Sequence, residues 1–159
     1  MRAFVLLVGV LWVALATAQA PGYYRHPAIH GDTVVFTAEG DLWAVAVTGG
    51  AARRLTTHAG EESRAVISPD GAQVAFTASY AGAQEAYVMP LGGGAPQRVS
   101  FEELPALVIG WTPAGEVLYG TQIAGGTGGS QRVVVAVDPT TLARRVLPLA
   151  EANDAAISA

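Results

Sequence analysis

The sequence predicts an all-β fold: a partial β-propeller of about three four-stranded blades and the first strand of a fourth, preceded by a signal-peptide helix. Three observations predict it. The hydrophobic triplets Val34-Val35-Phe36, Val74-Ala75-Phe76 and Val117-Leu118-Tyr119 recur with their aromatic residues 40 and then 43 positions apart. Each triplet follows a tight-turn sequence: His30-Gly31-Asp32, Pro69-Asp70-Gly71 or Pro113-Ala114-Gly115. Each is followed by a second alternating segment, a turn and a short closing segment. Four strands repeated every ~40–45 residues is the signature of propeller blades.

The first element lies apart from the repeat. Arg2 precedes an uncharged apolar run from Phe4 to Leu15. Such a run suits a signal-peptide core and is short of the roughly 20 residues of a membrane span. Ala16-Thr17-Ala18 supplies the small residues of a cleavage site. Cleavage after Ala18 is preferred, because cutting after Ala20 would place Pro21 beside the scissile bond. Residues 1–18 are therefore read as a signal peptide, with an uncleaved anchor as the alternative.

Residues 19–159 then form an incomplete propeller domain, with blades over about 24–57, 62–101 and 104–149 and the start of the next at 151–159. The second strands are Asp41–Val45, Glu85–Met89 and Val133–Val137; the closing strands are Arg53–Thr56, Gln97–Ser100 and Arg144–Leu147. In Ser68-Pro69-Asp70-Gly71, Pro69 presets φ, Asp70 can accept from nearby backbone N–H groups, and Gly71 can take a left-handed conformation. Thr112-Pro113-Ala114-Gly115 lacks the Asp, so that hairpin is expected to be less tightly specified. Gly125-Gly126-Thr127-Gly128-Gly129 lengthens the third central hairpin and is read as a mobile surface loop. A phosphate cradle there would need the Lys-Ser/Thr and helix of a P-loop, which are missing. Thr140–Ala150 is a weak helical candidate interrupted by Pro148. Asn153–Ser158 aligns with Ser63–Ser68, so the chain is expected to stop inside a fourth blade as a fragment of a longer protein. In isolation it is then expected to be poorly soluble or oligomeric.

Composition narrows the function classes. The 159 residues are 51% hydrophobic and 14% charged, with net charge −4, mean hydropathy +0.35 and pI of about 5.2. That balance offers no basic field for nucleic-acid phosphates. The absence of cysteine removes disulfides, thiolate nucleophiles and Cys-based metal sites.

Candidate chemistry is sparse, and no catalytic, cofactor-binding or metal-binding residue is assigned. Ser63, Ser68, Ser79, Ser100, Ser130 and Ser158 lack a Gly-x-Ser-x-Gly elbow. His26 and His30 have i, i+4 spacing, but on a strand this puts the rings on one face ~13 Å apart, too far to share a metal. Asp32 reads as a turn residue. Glu61 and Glu62 would point to opposite faces and are read as part of a solvated inter-blade loop. Arg53, Arg54, Arg98, Arg144 and Arg145 recur on the closing strands. They read either as a basic patch for acidic peptides or product carboxylates or, more simply, as charge protection of an open edge. Phe36, Phe76 and Tyr119 read as inter-sheet core, with Trp43 and Tyr87 packing nearby.

Three stretches together carry a family resemblance: Tyr24–Asp32 leading into Val35-Phe36 and Asp41-Leu42-Trp43; Arg53–Gly60 leading into Ile67–Gly71; and the longer unit with Leu142–Leu149 before Ala155–Ser158. They resemble the first propeller of tricorn-type serine peptidases over Tyr23–Ala159. TolB and prolyl-oligopeptidase-like propellers share the Ser-Pro-Asp-Gly turn; His26-Pro27-Ala28-Ile29-His30-Gly31-Asp32 is the more specific feature. The resemblance implies a six-bladed propeller opening a large peptidase whose second propeller, PDZ domain and catalytic serine lie outside these residues. Its partners would be the remainder of its own polypeptide and peptide or protein substrates, without nucleic acid or cofactor. Homo-oligomerisation of the full-length protein stays open. The leader departs from the cytosolic archaeal members and implies a periplasmic or secreted location. The alternative is a non-catalytic, TolB-like periplasmic scaffold, for which an α/β domain before the propeller would be expected; Ala18 to Tyr23 leaves no room for one.

Overall fold

The computed structural model describes residues 22–124 and 130–149 together with Ala152 and Ala155. The leader, the Gly125–Gly129 loop and most of the Glu151–Ala159 strand lie outside the described residues. Three four-stranded antiparallel sheets are present, and no helix occurs among the described residues. The first holds β1 (Arg25–His30), β2 (Thr33–Ala38), β3 (Asp41–Ala46) and β4 (Arg53–Arg54) in sequential order. The second holds β5 (Glu62–Ile67), β6 (Gln73–Ala81), β7 (Ala83–Pro90) and β8 (Gln97–Arg98). The third holds β9 (Leu107–Trp111), β10 (Val117–Ala124), β11 (Ser130–Val137) and β12 (Arg144–Val146). The sheets stack so that β1 packs beside β5 and β5 beside β9, which is the blade arrangement of a partial propeller.

Alternation sends one face of each sheet against the next. Val35, Leu42 and Ala44 meet Ala65, Ile67, Val74 and Phe76 between the first two sheets. Ala75, Ala86 and Val88 meet Val108, Val117, Tyr119 and Val135 between the second and third. Phe76 and Tyr119 are fully buried, as expected of inter-sheet core. Phe36 departs from that reading: it is half-buried, on the face of its sheet turned away from the second, with Tyr24 edge-on at 5.1 Å. Trp43 shares that face and is also half-buried; its indole donates to the Ala38 carbonyl at 3.1 Å. Tyr87 is buried.

The turns fix the registers. Gly71 has φ +72° and its N–H donates to the Ser68 carbonyl at 2.9 Å. Asp70 accepts from Ala72 N–H at 3.0 Å. With the Ser68 hydroxyl also donating to it, this holds the Asp70 carboxyl below its usual range. The third turn is not the loose one that the missing Asp suggested. Gly115 takes φ +84°, Gly115 N–H donates to Thr112 O at 2.9 Å, and Thr112 Oγ1 accepts from Glu116 N–H at 3.0 Å. The Thr112 hydroxyl thus replaces Ser68 in a turn one residue shorter. Thr140–Ala143 is a turn leading into β12, not a helix: Asp138 Oδ1 accepts from the N–H groups of Thr140 and Thr141 at 2.7 and 3.1 Å.

Two side chains set the registry of neighbouring sheets. The His30 ring at the end of β1 lies against the second sheet's turn, where a Cβ on Gly71 would meet it at 2.9 Å. The Trp111 indole at the end of β9 donates to the Val66 carbonyl of β5 at 2.9 Å.

Candidate functional site

Polar groups are concentrated at the two junctions between sheets. At the first, Thr56 Oγ1 accepts from Leu42 N–H at 2.9 Å and donates to Glu62 Oε2 at 2.8 Å. Tyr80 donates its hydroxyl proton to Glu62 Oε1 at 2.7 Å, and Glu62 N–H donates to Gly40 O at 2.7 Å. Asp41 is ion-paired with Arg54 through Oδ2, while its buried Oδ1 has no hydrogen-bond partner. Burial pushes the Glu62 carboxyl up; the hydrogen bonds from Tyr80 and Thr56 oppose this, and the nearby Asp41 charge adds to it. Burial and the Glu62 carboxylate push the Tyr80 phenol well above its ordinary value.

The second junction repeats the pattern with one methylene more. Glu85 pairs with Arg98 through Oε1, and its Oε2 accepts the Ser100 hydroxyl proton. Ser100 Oγ accepts from Ala86 N–H at 2.7 Å. Beside it, Glu102 Oε1 accepts from Tyr119 and from Arg144, each at 2.7 Å. Asp41 is too short to use its second oxygen as Glu85 does, so Thr56 serves Glu62 instead.

These contacts correct two sequence readings. Glu62 is fully buried, not in a solvated loop, because its carboxylate has two hydroxyl donors. Glu61 does point to solvent, where it pairs with Arg25 at 2.7 Å. The closing-strand arginines do not form a free basic patch: they lie on the edge strands of their sheets with their guanidiniums partnered. Arg54, Arg98, Arg144 and Arg145 are paired with Asp41, Glu85, Glu102 and Glu116 respectively. Arg53 donates to the carbonyls of Leu91 and Gly92 at 3.2 and 3.4 Å.

The structure does not bring His26 and His30 together. A bulge between Arg25 and Ala28 breaks the regular alternation that placing both rings on one face assumed. His26 occupies it with φ +49°. Burial, then the charges of Arg64 and Arg25, hold its imidazole below the ordinary value. His58 accepts from Gly60 N–H at 2.9 Å through Nδ1 and packs on Tyr80 at 4.0 Å between ring centroids. Among the described residues no serine hydroxyl bonds a histidine, and no cluster of three His, Asp or Glu is arranged to hold a metal.

One feature escaped the sequence reading. β5 carries the same irregularity as β1, between Ser63 and Val66, and there Arg64 has φ +52°. It borders a cavity of about 430 Å³ with Gln84, Leu107, Gly120, Gln122 and Arg132, where the ends of the second and third sheets meet. A bulge re-aims a side chain; period-two patterning does not report where one falls.

The junctions brace one sheet against the next. The tricorn protease N-terminal β-propeller domain family matches residues 21–159. The chain belongs to this family. A tricorn protease homologue of Streptomyces coelicolor is 41% identical over 100 residues, which are 62% of this chain and 9% of that protein. The crystal structure of the tricorn protease superposes with a TM-score of 0.60 at 20% identity, over 74% of this chain and 12% of that one. A TolB structure from Agrobacterium tumefaciens superposes with a TM-score of 0.68 at 22% identity, over 85% of this chain and 49% of that one. The two structures share the fold. The matched stretch thus spans about a tenth of the Streptomyces coelicolor homologue and of the tricorn protease structure, and about half of a putative tricorn-like protease N-terminal subunit of Sulfurisphaera tokodaii, 33% identical over 61% of this chain.

Proposed function

We propose that this tricorn-type propeller segment belongs to an exported serine peptidase and helps guide peptides toward a catalytic core carried by other residues of the full polypeptide. The observation that supports the reading is the family match across 21–159, on sheets whose acids and closing-strand arginines are committed to bracing. The segment then contributes a wall and a path, and proteolysis comes from elsewhere. The resemblance to TolB rests on fold and does not favour a scaffold role.

The test is peptide hydrolysis by the full-length gene product, with and without the propeller. Removal is expected to lower turnover of long peptides more than of short ones; an unchanged ratio overturns the guiding role. For export, the mature protein recovered from the periplasm or medium is expected to begin at Gln19. Recovery only from the cytoplasm with Met1 or Arg2 at its start overturns it.

A further inference from the structure

The first seam is plugged where the second is open. Ile29 pairs with Val34 and Ile67 with Val74, so Ser68 follows β5 in the place that His30 holds at the end of β1. The His30 ring fills the space in front of Gly71, whereas a Cβ on Gly115, the matching glycine of the third sheet's turn, would meet nothing within 4 Å. Ser68 is too short to fill that gap. Its hydroxyl is spent within its own turn, donating to Asp70 Oδ1 at 2.6 Å and accepting from Gln73 N–H at 2.9 Å. A recess of about 220 Å³ is left between the two turns, bordered by Pro69, Asp70, Gln73, Trp111, Pro113 and Ala114.

The recess selects a cation on a slender stem. Its volume falls below the roughly 300 Å³ at the lower end of small-ligand sites, so it takes one side chain and not a whole ligand. Asp70 is exposed. Its Oδ1 accepts from the Ser68 hydroxyl and from Ala72 N–H, which leaves Oδ2 without a side-chain partner among the described residues. No ion pair among them includes Asp70. The chain contains no lysine, and no arginine lines the recess. The Trp111 indole N–H is committed to the Val66 carbonyl, which fixes the ring as an aromatic wall, and cations are attracted to such rings. Pro69 and Pro113 add apolar sides, against which the methylenes of a long basic side chain pack while its charged end stays near water.

We propose that the recess between the turns of the second and third sheets seats a lysine or arginine side chain of an extended polypeptide, with Asp70 meeting its charge and Trp111, Pro69 and Pro113 its stem. At the first seam the chain supplies its own filler, the imidazole of His30; at the second, the incoming residue occupies the equivalent gap. The inference stands apart from the peptide-guiding reading, because it needs only that a polypeptide present a basic residue to this face.

The test uses the full chain and three fluorescently labelled N-acetyl peptide amides followed by anisotropy: Ala-Lys-Ala-Ala, Ala-Arg-Ala-Ala and Ala-norleucine-Ala-Ala. At least one basic peptide is expected to bind about fivefold more tightly than the norleucine peptide, as an exposed ion pair with an aromatic neighbour allows. Asp70→Asn keeps the Oδ1 acceptor of the turn and removes the charge; it is expected to abolish the difference. Ala114→Phe narrows the recess without touching Asp70 and is expected to do the same. Asp138→Asn removes an equal charge from a turn outside the recess and is expected to leave the difference intact. Equal binding of all three peptides to the unmodified chain overturns the site even if a variant fails to fold. A basic preference that survives in Asp70→Asn also overturns it. So does a preference unchanged in Ala114→Phe, which would make Asp70 a bare surface charge, or one lowered as much by Asp138→Asn, which would make it an effect of net charge.

Discussion

The Thr56 hydroxyl donates to Glu62 Oε2 at 2.8 Å while accepting from Leu42 N–H at 2.9 Å, so one side chain stitches the first sheet to the second. Thr56→Val keeps the shape and strands both partners. An unsatisfied buried group costs about 1–3 kcal/mol, and Thr56→Val is expected to destabilise by about that much in urea denaturation. Thr57→Val, at the exposed neighbouring position, is expected to change little.

Glu62 gives a pH signature. Its carboxyl is raised above the ordinary 4.5, first by burial. A group with a raised folded-state pKa binds more protons folded than unfolded. Its contribution is therefore fully present below the ordinary value and is lost as pH rises through the folded-state value. The stability of the unmodified chain relative to Glu62→Gln is expected to fall as pH rises above 4.5 toward neutrality. Paired denaturation curves at several pH values check this, because the exposed carboxylates cancel in the difference. A flat difference would show that Glu62 ionises as freely folded as unfolded.

Phe76 and Phe36 occupy matching places in the repeat but not in the core. Phe76→Ala is expected to cost ~3–5 kcal/mol, and Phe36→Ala clearly less, because only the former is fully buried. Thermal or chemical denaturation of the two variants checks the order.

Gly71 and Gly115 separate backbone cost from contact. Both have positive φ, +72° and +84°, and alanine at either position carries a left-handed penalty of roughly 1–2 kcal/mol. At Gly71 the new Cβ would also meet the His30 ring at 2.9 Å, whereas at Gly115 nothing lies within 4 Å. Gly71→Ala is expected to be the more destabilising, and His30→Ala in the same chain to recover part of the difference. Additive effects in that double-mutant cycle would remove the contact from the account.

Much of the fold was legible because blade units repeat simple local chemistry. Phe76, Tyr119 and the Ser68–Gly71 turn carry their environment in their spacing. Phe36 misled because equal position in a repeat does not bring equal neighbours. The Thr112 turn misled because a threonine hydroxyl can do the bracing of a serine–aspartate pair. Glu62 was unreadable for a different reason: its burial depends on Thr56 and Tyr80 arriving from two different sheets. Arg64 was invisible because a bulge is a property of strand pairing, not of one strand.

The two registry contacts are chemically unlike. His30 needs a bare glycine opposite it, whereas the Trp111 indole needs a carbonyl within reach. The seams are therefore held by unlike contacts, one a steric fit and the other a hydrogen bond, so a substitution that loosens one leaves the chemistry of the other untouched.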